Sequence, residues 1–279
     1  MTHRPAVAFV VRYVNQYREP FYSGLRNALD ARGVDFELIH GSPSSSELAK
    51  RDSVNPCWAT FVDNRRFAAG SREFIHQPVL DLVADKDLVI VEQASRLVLN
   101  YRLLARRALK RQGAIALIGH GNNRASSPSR AGEFVKGLLT NRIDWFFAYT
   151  EGTKRLLETN GFASDRITVF NNTLDLDGLR SDVDSVTADE VARFRFDHGV
   201  GDSPLILTLG SLYGDKKPEL AIETGSLLID RGHDAHVMLS GSGSLGTLVD
   251  SQARTRPWLH HMGAAFGRDK ATALKAADV

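Results

Sequence analysis

The sequence predicts an α/β protein built on doubly wound parallel sheets, arranged as two Rossmann-like domains. Three observations predict it. Short apolar runs of strand length recur along the chain, separated by longer stretches with helical spacing. The runs are continuous rather than alternating, the pattern of strands covered by helices on both faces. The alternation breaks once, in a stretch rich in Asp and Ser, and then restarts.

Taken in order, Ala6–Val11 (AVAFVV) predicts the first strand and Pro20–Arg32 the helix after it, with Gly33 as a helix-ending residue. Phe36–His40 predicts the second strand, and Asp87–Val91, Ala114–Ile118, Trp145–Tyr149 and Ile167–Phe170 continue the series. Asp175 to about Asp202 contains no strand-like run and predicts a linker with one short helix near Ala188–Phe196. Beyond it come strands at Leu205–Leu209, His236–Ser240 and Trp258–His261, with helices over Pro218–Arg231, near Leu245–Gln252 and near Asp269–Ala276. The expected division is an N-terminal domain over 1–185, a linker over 186–202 and a second domain over 203–279. Three βα units are few for a doubly wound domain, which usually takes about 100–150 residues, so the second domain is expected to be incomplete.

Composition narrows the classes. The 279 residues are 43% hydrophobic and 24% charged, which excludes a disordered chain or a disulfide scaffold. A net charge of +2 creates no demand for a nucleic-acid partner. Cys57 is the single cysteine, so neither an internal disulfide nor a thiolate zinc site is available. No run approaches a membrane span, and no apolar signal segment precedes the first strand, so a cytoplasmic location is expected.

Two loops in the second domain point to an anionic ligand. Gly210-Ser211-Leu212-Tyr213-Gly214-Asp215-Lys216-Lys217-Pro218 follows a strand and opens a helix. Small residues there admit a close ligand, the helix N-terminus favours an anion, and the lysines add full positive charge. Gly241-Ser242-Gly243-Ser244-Leu245-Gly246 fits G-x-G-x-x-G, but the next strand region, Leu259–Gly263, holds no carboxylate for a ribose. An NAD site is therefore not expected. In the first domain His120, between Gly119 and Gly121, falls at the carboxyl end of the AIALI strand, the edge where open α/β sheets bind ligands. Asp175/Asp177 and Asp182/Asp184 spell D-x-D within the linker-like stretch and read as solvated acids, and the histidine pairs lack the partners of a metal site.

Arg96–Arg111 (RLVLNYRLLARRALKR) is the one dense basic stretch. Helical spacing gathers Leu97, Tyr101, Leu104, Ala105 and Ala108 into one stripe and sets Arg102, Arg106, Arg107 and Lys110 opposite, with Leu99 and Leu103 among them. A basic face bearing exposed leucines suits an anionic membrane surface.

The order of these segments resembles the GT-B-fold glycosyltransferases of the family 4 type, retaining enzymes that use nucleotide-sugar donors. The segments are Gln16–Tyr22 (QYREPFY), Leu117–Asn122 (LIGHGN), Phe147–Gly152 with Ile167–Asp175, and Leu207–Pro218 with Leu239–Gly243. The resemblance implies two Rossmann-like domains facing a cleft. It puts His120 at the transferred sugar, Gly210, Ser211, Lys216 and Lys217 at the donor diphosphate, Gly241 and Gly243 on the donor side, and Asn172 near the hinge. It also implies a glycan or lipid-linked acceptor, as in polysaccharide assembly, and no metal or other cofactor.

The chain departs from that pattern in three places. Ser211 stands where the family often has Arg, and Val14–Pro20 replaces paired glycines. The family's E-x7-E segment is expected after Val279, so the donor domain is expected to be truncated before it. The alternative expectation is a non-catalytic acceptor-binding or membrane-docking module, peripheral at the inner face of the membrane.

Overall fold

The computed structural model describes residues 3–48, 50–70, 72–109, 112–121 and 142–279. These divide into two compact units: Met1–Ser44 with Asp52–Leu174, and Asp175–Val279 with the short segment Ser45–Arg51.

The first unit is organised by strands β1 (Ala6–Val11), β2 (Val14–Asn15), β3 (Asp35–His40), β4 (Ser53–Val54), β5 (Thr60–Phe61), β6 (Arg65–Ala69), β7 (Arg72–His76), β8 (Leu88–Glu92), β9 (Ala114–Gly119), β10 (Trp145–Ala148) and β11 (Ile167–Val169). Seven of them form one sheet in the order β11-β10-β9-β8-β1-β3-β5, every neighbouring pair parallel. The chain winds outward from β1 through β3 to β5, then returns to the other side of β1 and winds outward again from β8. The reversal falls between β1 and β8, the place where doubly wound sheets open a crevice at their carboxyl ends. Antiparallel pairs β2–β4 and β6–β7 lie outside the sheet.

Burial on both faces explains why the apolar runs are continuous. Alternate residues of the same strands feed two cores: Val10, Val89, Val91, Ile115 and Leu117 one, Phe9, Val11, Leu38, Ile90 and Ile118 the other. Helix Glu19–Asp30 starts with Pro20 in its first turn and buries Tyr22 against the second core, edge-on to Phe9 at 5.3 Å.

Helix Val98–Ala108 corrects the expectation for the basic stretch. Leu99 and Leu103, expected on the exposed face, are fully buried in the first core together with Asn100, whereas Ala105 and Ala108 are exposed. Of the expected stripe, Leu97 is buried and Leu104 packs against the first core, and the i, i+4 pair Leu99–Leu103 is covered beside them, which leaves the Ala105–Ala108 end outside. Of the basic residues, Arg102 is exposed beside the His76 ring, and Arg106 is half-buried, reaching the Leu80 carbonyl at 3.4 Å. Arg107 makes a two-pronged ion pair with Asp144, whose carboxylate also accepts from the Ile115 N–H at 2.8 Å. Lys110 lies outside the described residues.

The second unit holds a three-stranded parallel sheet, β12 (Leu205–Leu209), β13 (His236–Ser240) and β14 (Leu259–Gly263), in the order β12-β13-β14. Its boundary at Leu174/Asp175 falls earlier than residue 185 because the stretch read as a linker is helical. Asp175 caps helix Leu176–Asp184 by accepting from the Gly178 N–H at 2.9 Å. Thr187 and Glu190 form a reciprocal capping box at the start of helix Ala188–Asp197. Arg268, in helix Gly267–Ala276, clasps Glu190 and the Ser185 carbonyl, and this hold on the exposed carboxylate pulls its pKa down to about 2.

Candidate functional site

The carboxyl edge of the first sheet gathers side chains from the segments after five neighbouring strands, β1, β8, β9, β10 and β11. At the reversal point Arg12, directly after β1, gives its backbone N–H at 2.9 Å and its Nε at 3.1 Å to one oxygen of Glu92, the last residue of β8. One strand further on, His120 follows β9. Its turn is held by three hydrogen bonds from two residues. The Gln93 amide accepts from the Gly121 N–H at 2.9 Å and donates to the Gly121 carbonyl at 3.4 Å. The Thr153 hydroxyl donates to the His120 carbonyl at 3.3 Å. Gly121 has a φ of 76°, in the left-handed region, and is followed by residues outside those described.

Aromatic rings continue the edge. Tyr149 follows β10, with its ring centroid 4.3 Å from that of His120 and 5.2 Å from that of Phe170, which follows β11. Arg18 stands over the Tyr149 ring at 5.2 Å and donates to the Asn172 side-chain oxygen. Asn171 and Asn172 adopt φ values of 56° and 45°, which Asn tolerates better than most side chains. Burial pushes the Tyr149 and Tyr22 hydroxyls above the usual phenol range, Arg18 opposing and Glu92 reinforcing the shift, so both remain neutral hydrogen-bonding groups.

His120 and Asn172, both expected from the sequence to belong to a site, stand on this edge, together with Arg18, Gln93 and Tyr149, which were not among the expected residues. Arg18 lies within the QYREPFY segment, but its bond to Asn172 spans 154 residues and has no local signature.

In the second unit the two glycine loops are one construction. A Cβ added to Gly241 would sit 1.7 Å from the Gly210 carbonyl oxygen, and one on Gly243 would sit 2.3 Å from that of Leu212. Backbone bonds Gly210 N–H to Ser240, Leu212 N–H to Ser242 and Leu245 N–H to Leu212, each 2.9 Å, join the loops. Gly241 and Gly243, the first two glycines of the G-x-G-x-x-G run, are thus required by loop-on-loop packing, whereas Gly246 has open space at its Cβ position. Gly210 is exposed with open space at its Cβ position, and Ser211 is half-buried beside it. Lys216 is exposed and lies 3.7 Å from the exposed Asp215 carboxylate, a contact that leaves its charge largely available. Lys217, at φ 48°, turns the chain into helix Pro218–Asp230. His261 anchors the base of the Gly241 loop, one ring nitrogen 3.1 Å from the Gly241 carbonyl and the other 2.7 Å from Asp250. Among the described residues no group of three or more acidic, His or Cys side chains is arranged to hold a metal, and no helix is long and apolar enough to cross a membrane.

No protein-family model matches the chain, and no curated protein sequence matches it. Solved structures do. A glycosyltransferase from Rickettsia africae is 15% identical, with a TM-score of 0.67 over 99% of this chain and 72% of its own. HepE from Anabaena, solved with UDP and glucose, is 12% identical, with a TM-score of 0.64 over 98% of this chain and 72% of its own. A UDP-GlcNAc 2-epimerase from Methanocaldococcus jannaschii is 16% identical, with a TM-score of 0.58 over 99% of this chain and 77% of its own. At such identities the likeness is one of fold, and that fold, two Rossmann-like α/β units, is GT-B.

Proposed function

We propose that this chain handles a nucleotide sugar, as a glycosyltransferase that moves a sugar from a UDP-type donor to a glycan or lipid-linked acceptor with retention of configuration. The observation that supports it most is the hold of Gln93 and Thr153 on the His120 turn, one strand from the reversal point of a seven-stranded doubly wound sheet. An imidazole fixed there is suited to contact the transferred sugar near its reacting carbon. In the second unit the open Gly210–Ser211 backbone with Lys216 and Lys217 is suited to a diphosphate. Those cations would stabilise the departing nucleotide as charge develops on it, so the reading calls for no bound metal. Both the glycosyltransferases and the UDP-GlcNAc 2-epimerases that share the fold have names or bound ligands pointing to sugars or their nucleotides, which supports this substrate class.

Titration calorimetry of the full chain with UDP, GDP and ADP tests the donor half. Saturable UDP binding, weakened at least tenfold in Lys216→Ala, is expected. Incubation with UDP-glucose and UDP-GlcNAc, followed by product analysis, tests the chemistry. Transfer or hydrolysis that falls by about 10²–10³ in His120→Ala is expected, the scale seen when a group stabilising developing charge is removed. A folded chain that binds none of the nucleotides sinks the proposal. Conversion of UDP-GlcNAc to its 2-epimer without transfer would replace transferase by epimerase.

A further inference from the structure

Arg18 is a buried cation without a carboxylate partner among the described residues. It ends the short 3-10 turn Gln16–Arg18 and is only 9% exposed. Its neighbours are the neutral Asn172 oxygen and the rings of Tyr17, at 5.6 Å, and Tyr149, at 5.2 Å. Among the described residues it forms no ion pair, whereas the half-buried Arg12, Arg66 and Arg107 of the same unit pair with Glu92, Glu73 and Asp144. Glu19, next in sequence, is engaged by Ser23 and the Trp58 indole, and Glu92, whose charge reaches the same Tyr149 hydroxyl, is engaged by Arg12. Removing a guanidinium from water without a counter-charge is costly, and a single neutral hydrogen bond with two ring faces offsets it only in part. Such a cost is retained where an anion arrives to complete the site.

The surroundings say where that anion sits. Tyr149 neighbours both Arg18 and His120 with one ring, so the guanidinium and the imidazole are set around the same side chain on the same sheet edge. Asn172 uses one of the five N–H donors and fixes the plane of the fork, which suits two-pronged capture of an oxyanion.

We infer that Arg18 recognises an oxyanion, a phosphate or a carboxylate, borne by the acceptor and seated beside His120. This rests on the transferase reading for the word acceptor; the anion site itself stands on the geometry of the first unit alone.

The full chain is titrated with glucose 6-phosphate, glucuronate, inorganic phosphate and neutral glucose, following heat and the His120 imidazole resonances. The expected result is binding of at least one sugar-borne anion with a shift at His120, none of glucose, and at least tenfold weaker binding in Arg18→Gln. Arg18→Lys, which keeps the charge but not the fork, should recover part of the loss. Arg18→Gln should melt at or above the wild-type temperature, since no ion pair is broken. A melt lowered by more than about 5 °C assigns Arg18 a structural role and overturns the inference. So do equal binding of the anions by Arg18→Gln, binding of neither sugar anion, or inorganic phosphate matching the sugar phosphate in affinity. Loss of UDP binding in Arg18→Gln would give Arg18 to the donor instead. Anion binding without any UDP binding refutes the donor reading and keeps the anion site; UDP binding without anion binding does the reverse.

Discussion

The rings of His120 and Tyr149 meet at 4.3 Å between centroids with their planes tilted by 55°. They follow neighbouring parallel strands, and the bond from the Tyr149 N–H to the Gly119 carbonyl, at 3.2 Å, carries the ladder to the point where both side chains leave it. Tyr149→Leu should therefore reorient the imidazole and lower stability by about 1–2 kcal/mol through lost ring contacts with His120 and Phe170. Tyr149→Phe should spare both. Urea unfolding and the His120 resonances check the pair; identical behaviour of the two variants would show that the ring does not position His120.

Gly241 and Gly246 make a matched pair. Ala at Gly241 forces a methyl group into the Gly210 carbonyl and should cost about 3 kcal/mol or more, a backbone clash with no flexible neighbour to yield. Ala at Gly246, the first residue of helix Gly246–Ala253 with open space around it, should be neutral or add about 0.4–1 kcal/mol. Denaturant midpoints of the two variants decide it, and equal midpoints would remove the packing role assigned to the first glycine.

In the basic helix the two leucine positions should differ sharply. Leu103→Ala is expected to cost about 2–5 kcal/mol because the side chain is fully buried, and Leu109→Ala, 67% exposed, next to nothing. Arg107→Ala should lower stability by breaking the pair with Asp144, while Arg102→Ala should not. Thermal melts of the four variants check this; flotation with anionic vesicles, run beside them, should be insensitive to Leu99→Ala in any variant that stays folded.

A histidine cluster sets an acid limit on the second unit. His236 and His260 stack at 5.0 Å with ring nitrogens 2.8 Å apart, and the His198 ring lies 6.5 Å from His260. Burial, then the neighbouring His236 and His198, lowers the His260 pKa from 6.5 to about 4, and burial lowers that of His236 against the pull of Asp234. The folded state thus binds fewer protons than the unfolded chain between about pH 6.5 and 4. Its stability is full above that window and falls through it on acidification. His260→Gln should flatten the melting temperature over this range; an unchanged slope would exclude the cluster as its source.

Much of this was legible in the sequence. Runs such as Ala6–Val11 and Leu205–Leu209 are strands with the bounds expected of them, because burial on both faces leaves an uninterrupted apolar signal. Helix Leu176–Asp184 was not legible: it buries none of its residues and is defined by the Asp175 cap rather than by a stripe. The hairpin of β6 and β7 was hidden by the arginines it places among Phe67 and Phe74, whose rings stack at 5.8 Å. The face of the basic helix was legible only in part: Leu97 and Leu104 are covered as expected, but so are Leu99 and Leu103 beside them. His120 was visible from its place after a strand, while the Arg18–Asn172 bond depends on two loops far apart in the chain.

The joined loops after β12 and β13 have a consequence for how the second unit can change. With the Gly210 carbonyl where a side chain on Gly241 would begin, neither loop has a conformation of its own. A ligand that displaces Ser211 must also displace Ser242, and a substitution that reshapes one loop is felt at once by the other. The two turns behave as a single plate, so recognition at one end and rigidity at the other cannot be tuned apart.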